Sequence, residues 1–225
     1  MLSVEDALLS RRSVRAFLPT PVPRALLEEL LTLAGRAPSG TNTQPWIVYV
    51  LQGTARDRLC AKILAAHNSP RVAVTHREEF PYYPEEWKSP YLDRRRKVGY
   101  DLYGLLGIGK GDKARMHQQL GRNYLFFDAP VGLICTMDRS LAQGSLLDYG
   151  MFLQSLMLAA RARGLDSCPQ AAFNRYHRII REELQLPDDE VIVCAMALGY
   201  ADPQAPENQL LTERAPLADW ARFRP

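Results

Sequence analysis

The sequence predicts an α+β fold: a small β-sheet covered by helices, without strict β-α-β alternation. Two observations predict it. Trp46–Leu51, Val131–Thr136 and Val191–Leu198 are continuous apolar runs rich in β-branched residues, as expected of strands covered on both faces. Around them, apolar residues recur at the i, i+3, i+4, i+7 spacing of helices that bury one face.

Taken in order, Ser3 caps a short helix to about Ser10, with Val4, Ala7 and Leu8 on one face. A dense basic cluster, Arg11-Arg12-Ser13-Val14-Arg15, follows. Pro19, Pro21 and Pro23 make an extended connection, and Pro23 suits the first turn of a second helix. Leu27, Leu30, Leu31 and Ala34 form its stripe, and it stops before Pro38. Pro38 to Pro45 is a turn-rich loop that feeds the first strand. Leu59, Ile63 and Ala66 mark a third helix.

Residues 76–125 change character. Phe80, Tyr82, Tyr83, Trp87, Tyr91, Tyr100 and Tyr103 crowd together, and glycines cluster at 104, 107, 109 and 111. Such a length cannot bury a core of its own, so it reads as an excursion with helical pieces. After the second strand, Leu146–Arg163 is a helix apolar almost all round, ending at Gly164, which places it centrally or at a subunit interface. Asn174 caps a helix to about Leu184, and the third strand follows. The tail past Asp202 holds four prolines and should be extended, either fraying or lying on another surface such as a partner subunit. The chain thus reads as a single domain, 1–225, with 76–125 as an excursion and 202–225 as a tail.

Composition narrows the function. Hydrophobic residues are 47% and charged residues 24%, an ordinary globular balance that excludes general disorder. The longest apolar stretch falls far short of the roughly 20 residues of a membrane span, and the N-terminus has no signal pattern, which predicts a soluble, cytoplasmic protein. Net charge is +3, too little to argue for nucleic acid. Only five of the 28 basic residues are lysine, so 23 are arginine, the planar binder of phosphate and carboxylate; genome base composition produces the same bias. Cys60, Cys135, Cys168 and Cys194 form no C-x-x-C pair, and three of them sit among apolar neighbours and read as buried thiols in a reducing compartment. His67, His76, His117 and His177 lack metal-ligand spacing, so no metal site is expected.

Gly104 to Gly111 nearly spells a phosphate-binding loop but lacks the hydroxyl residue after Lys110. Arg94-Arg95-Arg96-Lys97 reads as a solvated face. Three motifs carry more. Arg11 to Arg15 offers three guanidiniums and a hydroxyl, matched to phosphate oxygens or simply a solvated helix end. Pro38 to Trp46 supplies Ser39, Gly40, Asn42 and Gln44 between prolines, as a ligand loop or a plain one. Gly164 to Phe173 follows the apolar helix, so its amides either face an interior ligand or merely connect two helices.

Together these motifs resemble the FMN-dependent nitroreductase family, whose R-R-S-x-R start, P-S-x-x-N-x-Q-P-W loop and G-L-x-x-x-P loop occur here in family order. The tail Gly199 to Pro203 and Arg214 to Leu217 fits too, so the resemblance covers nearly the whole chain. It implies a mixed sheet flanked by helices and an intertwined homodimer with two FMN sites at its interface. Helix Leu146–Arg163 becomes dimer core, and the tail wraps the partner. Arg11, Arg12, Ser13 and Arg214 would hold the phosphate and ribityl chain, and Arg15 would sit near the pyrimidine edge. Pro38, Ser39, Gly40 and Asn42 would reach the flavin from the other subunit, while Pro169, Gln170 and Ala171 would line the ring, with a backbone N–H directed at N5. Family tails often carry a basic residue where Thr212 stands, so the likeness stops short of that phosphate contact.

The resemblance implies NAD(P)H-driven, ping-pong reduction of nitroaromatic or related electron-poor acceptors. Hydride is carried by flavin N5, so no catalytic side chain is expected. Tyr83, Trp87 and Tyr103 of the excursion would stack on the acceptor or simply pack a lid, and an arginine there would favour a carboxylated nitroaromatic. Reductive dehalogenation, enone reduction and flavin fragmentation are rival reactions on the same fold. A flavin-binding or regulatory protein with little turnover is the rival from another class.

Overall fold

A computed structural model describes residues 2–224. Four strands, β1 (Ile47–Gln52), β2 (Val131–Asp138), β3 (Asp166–Gln170) and β4 (Glu190–Gly199), pair antiparallel in the order β1-β2-β4-β3. The parallel element of the expected mixed sheet is confined to a bridge between Ser13 and Ser167. Helices α1 (Val4–Ser10), α2 (Arg24–Ala34), α3 (Gly53–Asn68) and the short α4 (Pro70–Ala73) come from the first third of the chain. Helices α5 (Tyr91–Leu105), α6 (Lys113–Gly121), α7 (Gly144–Ala162), α8 (His177–Leu184) and α9 (Leu217–Trp220) complete the set.

Each sheet face carries its own core. One joins Ile134, Ile192, Ala195 and Ala197 to Leu59 and Ile63 of α3 and Ile180 of α8. The other joins Leu133, Cys135, Met196 and Leu198 to Leu27 and Leu30 of α2 and to Phe152 and Leu156 of α7. Alternate residues of β2 and β4 therefore enter opposite cores, which is why both strands read as continuous apolar runs. Gly132 allows the close packing: a Cβ there would stand 2.5 Å from the Phe126 ring.

The local signals hold at several ends. The Ser3 hydroxyl accepts from the Asp6 N–H at 3.0 Å while the Asp6 carboxylate accepts from the Ser3 N–H at 3.2 Å, a complete capping box. Pro23 stands one position outside α2, at its N-cap rather than in its first turn, and the helix ends at Gly35, before Pro38.

Four expectations are corrected. The sheet has four strands, because Asp166–Gln170 is β3 and not part of a connector. Polar residues and Pro169 hid it; β3 is an edge strand, where a proline withholds no essential ladder bond. The first strand is not covered on both faces: it is also an edge, with Ile47 39% and Val50 37% exposed. Asn174 does not cap α8. It lies in a 3₁₀ segment, Ala171–Tyr176, and its buried amide donates to the Val193 carbonyl at 2.9 Å. The tail is not extended throughout: it makes a 3₁₀ turn at Pro206–Gln209, where Glu207 and Asn208 are buried, and ends in α9.

Within 76–125, Gly107 and Gly111 take positive φ in the turn from α5 to α6. No strand precedes that glycine run, so the structural context of a phosphate-binding loop is absent.

Candidate active site

The Arg11–Arg15 segment crosses the end of β3. The Val14 N–H donates to the Ser167 carbonyl at 3.1 Å, and the Ser13–Ser167 bridge extends the sheet edge. The Arg15 N–H donates to Asn208 Oδ1 at 2.8 Å, and Arg122 Nη2 donates to the Arg15 carbonyl at 3.3 Å. Arg15 Nη1 turns back to the Ser13 carbonyl at 3.2 Å. The backbone of this segment is thus pinned on both sides while its side chains remain open.

Arg11, Arg12 and Arg214 then meet around one cavity of about 500 Å³, joined by Arg161 from α7 and by Ser10 and Thr212. Burial lowers the pKa of Arg11, and the nearby Arg214 lowers it further. Arg161 is partly neutralised by Asp166, 3.1 Å away. Arg214 has no acidic partner among the described residues; its Nη1 donates to the Thr212 hydroxyl at 2.8 Å and to two tail carbonyls. Thr212 therefore orients the arginine beside it. Cations gathered in this way are suited to an anion.

Pro169, Gln170 and Ala171 lie at the end of β3 and line a second cavity, of about 360 Å³. Its walls are mostly apolar: Phe80, Leu146, Tyr149, Leu153 and Val193, with Tyr82 and Cys194. Gln170 is buried, and its Oε1 has no hydrogen-bond partner. Cys194 faces Cys135 across the ladder, and a hydrogen bond with that thiol, together with burial, holds the Cys194 thiol well above its usual range.

The loop Pro38–Asn42 lines neither cavity. It is shaped from within: the Gln44 N–H donates to Ser39 Oγ at 3.0 Å, and Thr41 and Asn42 take positive φ. Pro38, Gly40 and Asn42 are exposed.

In the excursion, Phe80 and Tyr82 reach the apolar cavity. Tyr83 packs edge-on against Tyr82 at 4.7 Å and tilts against Trp87 at 5.4 Å. Arg95 lies over Trp87 at 4.9 Å. Tyr103 lines a different cavity, between α5 and α6. Sequence reasoning did not single out Arg161, Asn208 or Arg122. Arg161 is the one cation within α7, whose apolar sequence gave a signal that was available; nothing local marks the other two.

The residues present fit FMN: a cavity of clustered arginines suited to phosphate and a mostly apolar cavity at the end of β3 suited to a ring. The comparisons with known proteins agree. Residues 8–200 match the nitroreductase family. The chain belongs to the nitroreductase family. It is 45% identical to the 4-nitrobenzoate reductase of Pseudomonas putida over 214 residues, 95% of this chain and 92% of that one. It is 40% identical to the nitrobenzene nitroreductase of Ectopseudomonas oleovorans over 220 residues, 98% and 96% of the two chains. The FMN and NADPH-dependent nitroreductase NfnB of Sphigopyxis sp. strain HMH superposes with a TM-score of 0.94 at 38% identity, covering 100% of both chains. The α+β expectation is met: this nitroreductase-family chain has the fold of its relatives. Among its described residues no helix is long and apolar enough to cross a membrane.

Proposed function

We propose that this chain is an FMN-dependent oxidoreductase that uses NAD(P)H to reduce nitroaromatic acceptors, and that it works as a homodimer in the cytoplasm. The arginine cavity carries the reading. Arg11, Arg12 and Arg214 come from opposite ends of the chain to one space, an arrangement that is costly without an anion and suited to a phosphate. The names of the relatives and structural neighbours supply the rest: nitrobenzoate and nitrobenzene reductases, and FMN and NADPH-dependent enzymes.

When bound, FMN supplies the two-electron chemistry, taking a hydride from NAD(P)H and passing reducing equivalents to the nitro group. Arg11, Arg12, Ser13 and Arg214 hold its phosphate end. Arg15, whose backbone is held by Asn208 and Arg122, would sit near the pyrimidine edge. Pro169, Gln170 and Ala171 line the ring, and Phe80, Leu146 and Leu153 keep water from that cavity. Pro38, Ser39, Gly40 and Asn42 serve the site of the partner subunit, which accounts for a shaped but exposed loop. Tyr83 and Trp87 face the acceptor, whereas Tyr103, expected with them, lines the separate cavity between α5 and α6. No side chain is assigned a nucleophilic or proton-transfer role.

Dimerisation is supported by unpartnered apolar side chains: Leu9, Leu147, Leu211, Trp220 and Phe223 are each more than 60% exposed. Free, buried thiols at all four cysteines suit a reducing compartment. Arg95 supports a carboxylated acceptor. It rests on Trp87, has no acidic partner among the described residues, and is one ring from Tyr82 of the apolar cavity.

The test is direct. The protein should purify yellow, release FMN rather than FAD on denaturation, and oxidise NAD(P)H steadily with a nitroaromatic acceptor. FAD in place of FMN, no flavin after reconstitution, or bound FMN without turnover overturns the reading.

A further inference from the structure

The entry to the 76–125 excursion carries an inference that rests on the reading of the apolar cavity as the place of flavin ring and acceptor. Arg175 donates to the Ala73 carbonyl at 2.6 Å and to the His76 carbonyl at 3.3 Å, and Arg178 donates to the Thr75 carbonyl at 2.6 Å. The chain is next held at Glu79. Its Oε1 pairs with Arg139 Nη1 at 2.6 Å, and its Oε2 faces His177 Nδ1 at 3.7 Å. The very next residue, Phe80, is in the wall of the apolar cavity and packs against the core shared by α2 and α7.

An ion pair between two flexible, exposed side chains contributes little. This one differs, because Arg139 is fixed before it meets Glu79. Its backbone N–H donates to the Asp189 carbonyl at 2.6 Å, Nε to the Asp188 carbonyl at 3.2 Å and Nη2 to the Glu190 carbonyl at 3.0 Å. The guanidinium fork thus stands at the end of the β2–β4 ladder with Nη1 left over, so Glu79 meets a partner that is already in place. Past Glu79 the hold is slight. From Phe80 to Trp87 the backbone makes one hydrogen bond among the described residues, from the Tyr82 N–H to the exposed Glu78 carboxylate at 3.2 Å. The place of Phe80 in the wall is therefore set from the Glu79 side.

We infer that Glu79, latched to Arg139, is a positioning residue for acceptor specificity: it holds Phe80 in the wall of the ring cavity and so limits the size of the aromatic acceptor that fits. Glu79, Arg139 and His177 do not line that cavity themselves, nor the arginine cavity. The latch acts through Phe80, on the fit of the acceptor and not on the hold of the flavin. With the latch released, Phe80 gives way. A one-ring nitroarene then loses a packing surface, and a two-ring nitroarene gains room.

The experiment compares kcat/KM for nitrobenzene and for 1-nitronaphthalene in the holoprotein, with wild type, Glu79→Gln, Phe80→Ala and the double variant, each at full FMN occupancy. Glu79→Gln should shift the ratio of the two values about tenfold toward 1-nitronaphthalene, chiefly through a raised KM for nitrobenzene, while the Kd of FMN stays within about threefold of wild type. Beside Phe80→Ala the same substitution should leave the ratio unchanged, because the side chain it positions is gone. An unchanged ratio in Glu79→Gln overturns the inference. So does an equal loss for both acceptors, which is what a merely structural role gives, and so does a shift that persists in full beside Phe80→Ala. Should Glu79→Gln fold poorly, Glu79→Asp, whose carboxylate falls short of Arg139, is measured by the same ratio and judged by the same outcomes. Wild-type protein that takes up no FMN, or takes it up and reduces neither nitroarene, overturns the functional reading itself, and this inference with it.

Discussion

The backbone N–H of Arg15 donates to the side-chain oxygen of Asn208 at 2.8 Å, tying together two residues 193 positions apart. The same amide donates through Nδ2 to the Ala16 carbonyl at 2.8 Å and to the Asp202 carbonyl at 2.9 Å. One buried side chain thus fixes the basic N-terminal segment against the start of the tail, which goes on to deliver Arg214.

Asn208→Ala should therefore cost both stability and cofactor. It strands the Arg15 N–H, while the Ala16 and Asp202 carbonyls keep the backbone donors Asp202 and Ala205, a loss of about 1–3 kcal/mol. For a chain of this size each kcal/mol moves Tm by roughly 2–4 °C. Thermal unfolding and an FMN titration should both shift; an unchanged Tm would show that water takes over the contacts.

Arg214→Ala should weaken FMN binding more than it slows the reaction. Arg214 belongs to the anion cavity and not to the ring cavity. Loss of a charge-assisted contact costs about 1.5–3 kcal/mol, roughly ten- to hundredfold in Kd. At saturating FMN the rate of flavin reduction by NAD(P)H should largely recover. A rate that stays low at full occupancy assigns Arg214 a different role.

The site should need two subunits. Dimers carrying Arg11→Ala and dimers carrying Asn42→Ala, each inactive, should regain activity when dissociated and mixed, because a mixed dimer holds one intact site. Mixtures no better than either folded parent would place both residues in one subunit's site.

The aromatic row Tyr83–Trp87–Arg95 should select acceptors. Arg95→Gln should lower kcat/KM for 4-nitrobenzoate about tenfold and leave nitrobenzene nearly unaffected, since only the first offers a carboxylate. Trp87→Ala and Tyr83→Ala should reduce both acceptors by the about 0.5–1.5 kcal/mol of a lost aromatic contact. Uniform effects of Arg95→Gln on the two acceptors would remove it from carboxylate recognition.

Stability should fall as the solution is acidified below about pH 6.5. His67 is buried, stacks on His117 with ring centroids 3.9 Å apart, and has its pKa lowered chiefly by burial. His76 and His177 are lowered for the same first reason. Above their ordinary value these groups are neutral both folded and unfolded. Below it the unfolded chain takes up protons that the folded chain resists, so unfolding is favoured. Urea titrations between pH 7.5 and 5.5 should show the decline, and His67→Gln should flatten it. A flat wild-type profile in that interval would contradict it.

The sequence alone determined the local pieces. The α1 cap, the α2 stripe, the buried face of α3 and the two-faced strands β2 and β4 follow from residue chemistry at short range. The three motifs that resemble the family were legible because an anion site and a tight loop need particular residues at fixed spacing. Tertiary structure decided the rest. Pro169 sits in a strand because β3 is an edge, and position in a sheet is not a property of one segment. Asn174 and Asn208 became buried bridges, although asparagine by itself more often signals a cap or a turn. Arg11 and Arg214 share a cavity because the chain closes on itself, and the buried Gln170 amide donates to the carbonyl of Asn123, 47 residues away, while its oxygen has no partner. Long-range hydrogen bonds and partnerless buried atoms exist only once the fold has removed water, so no local pattern in the sequence encodes them.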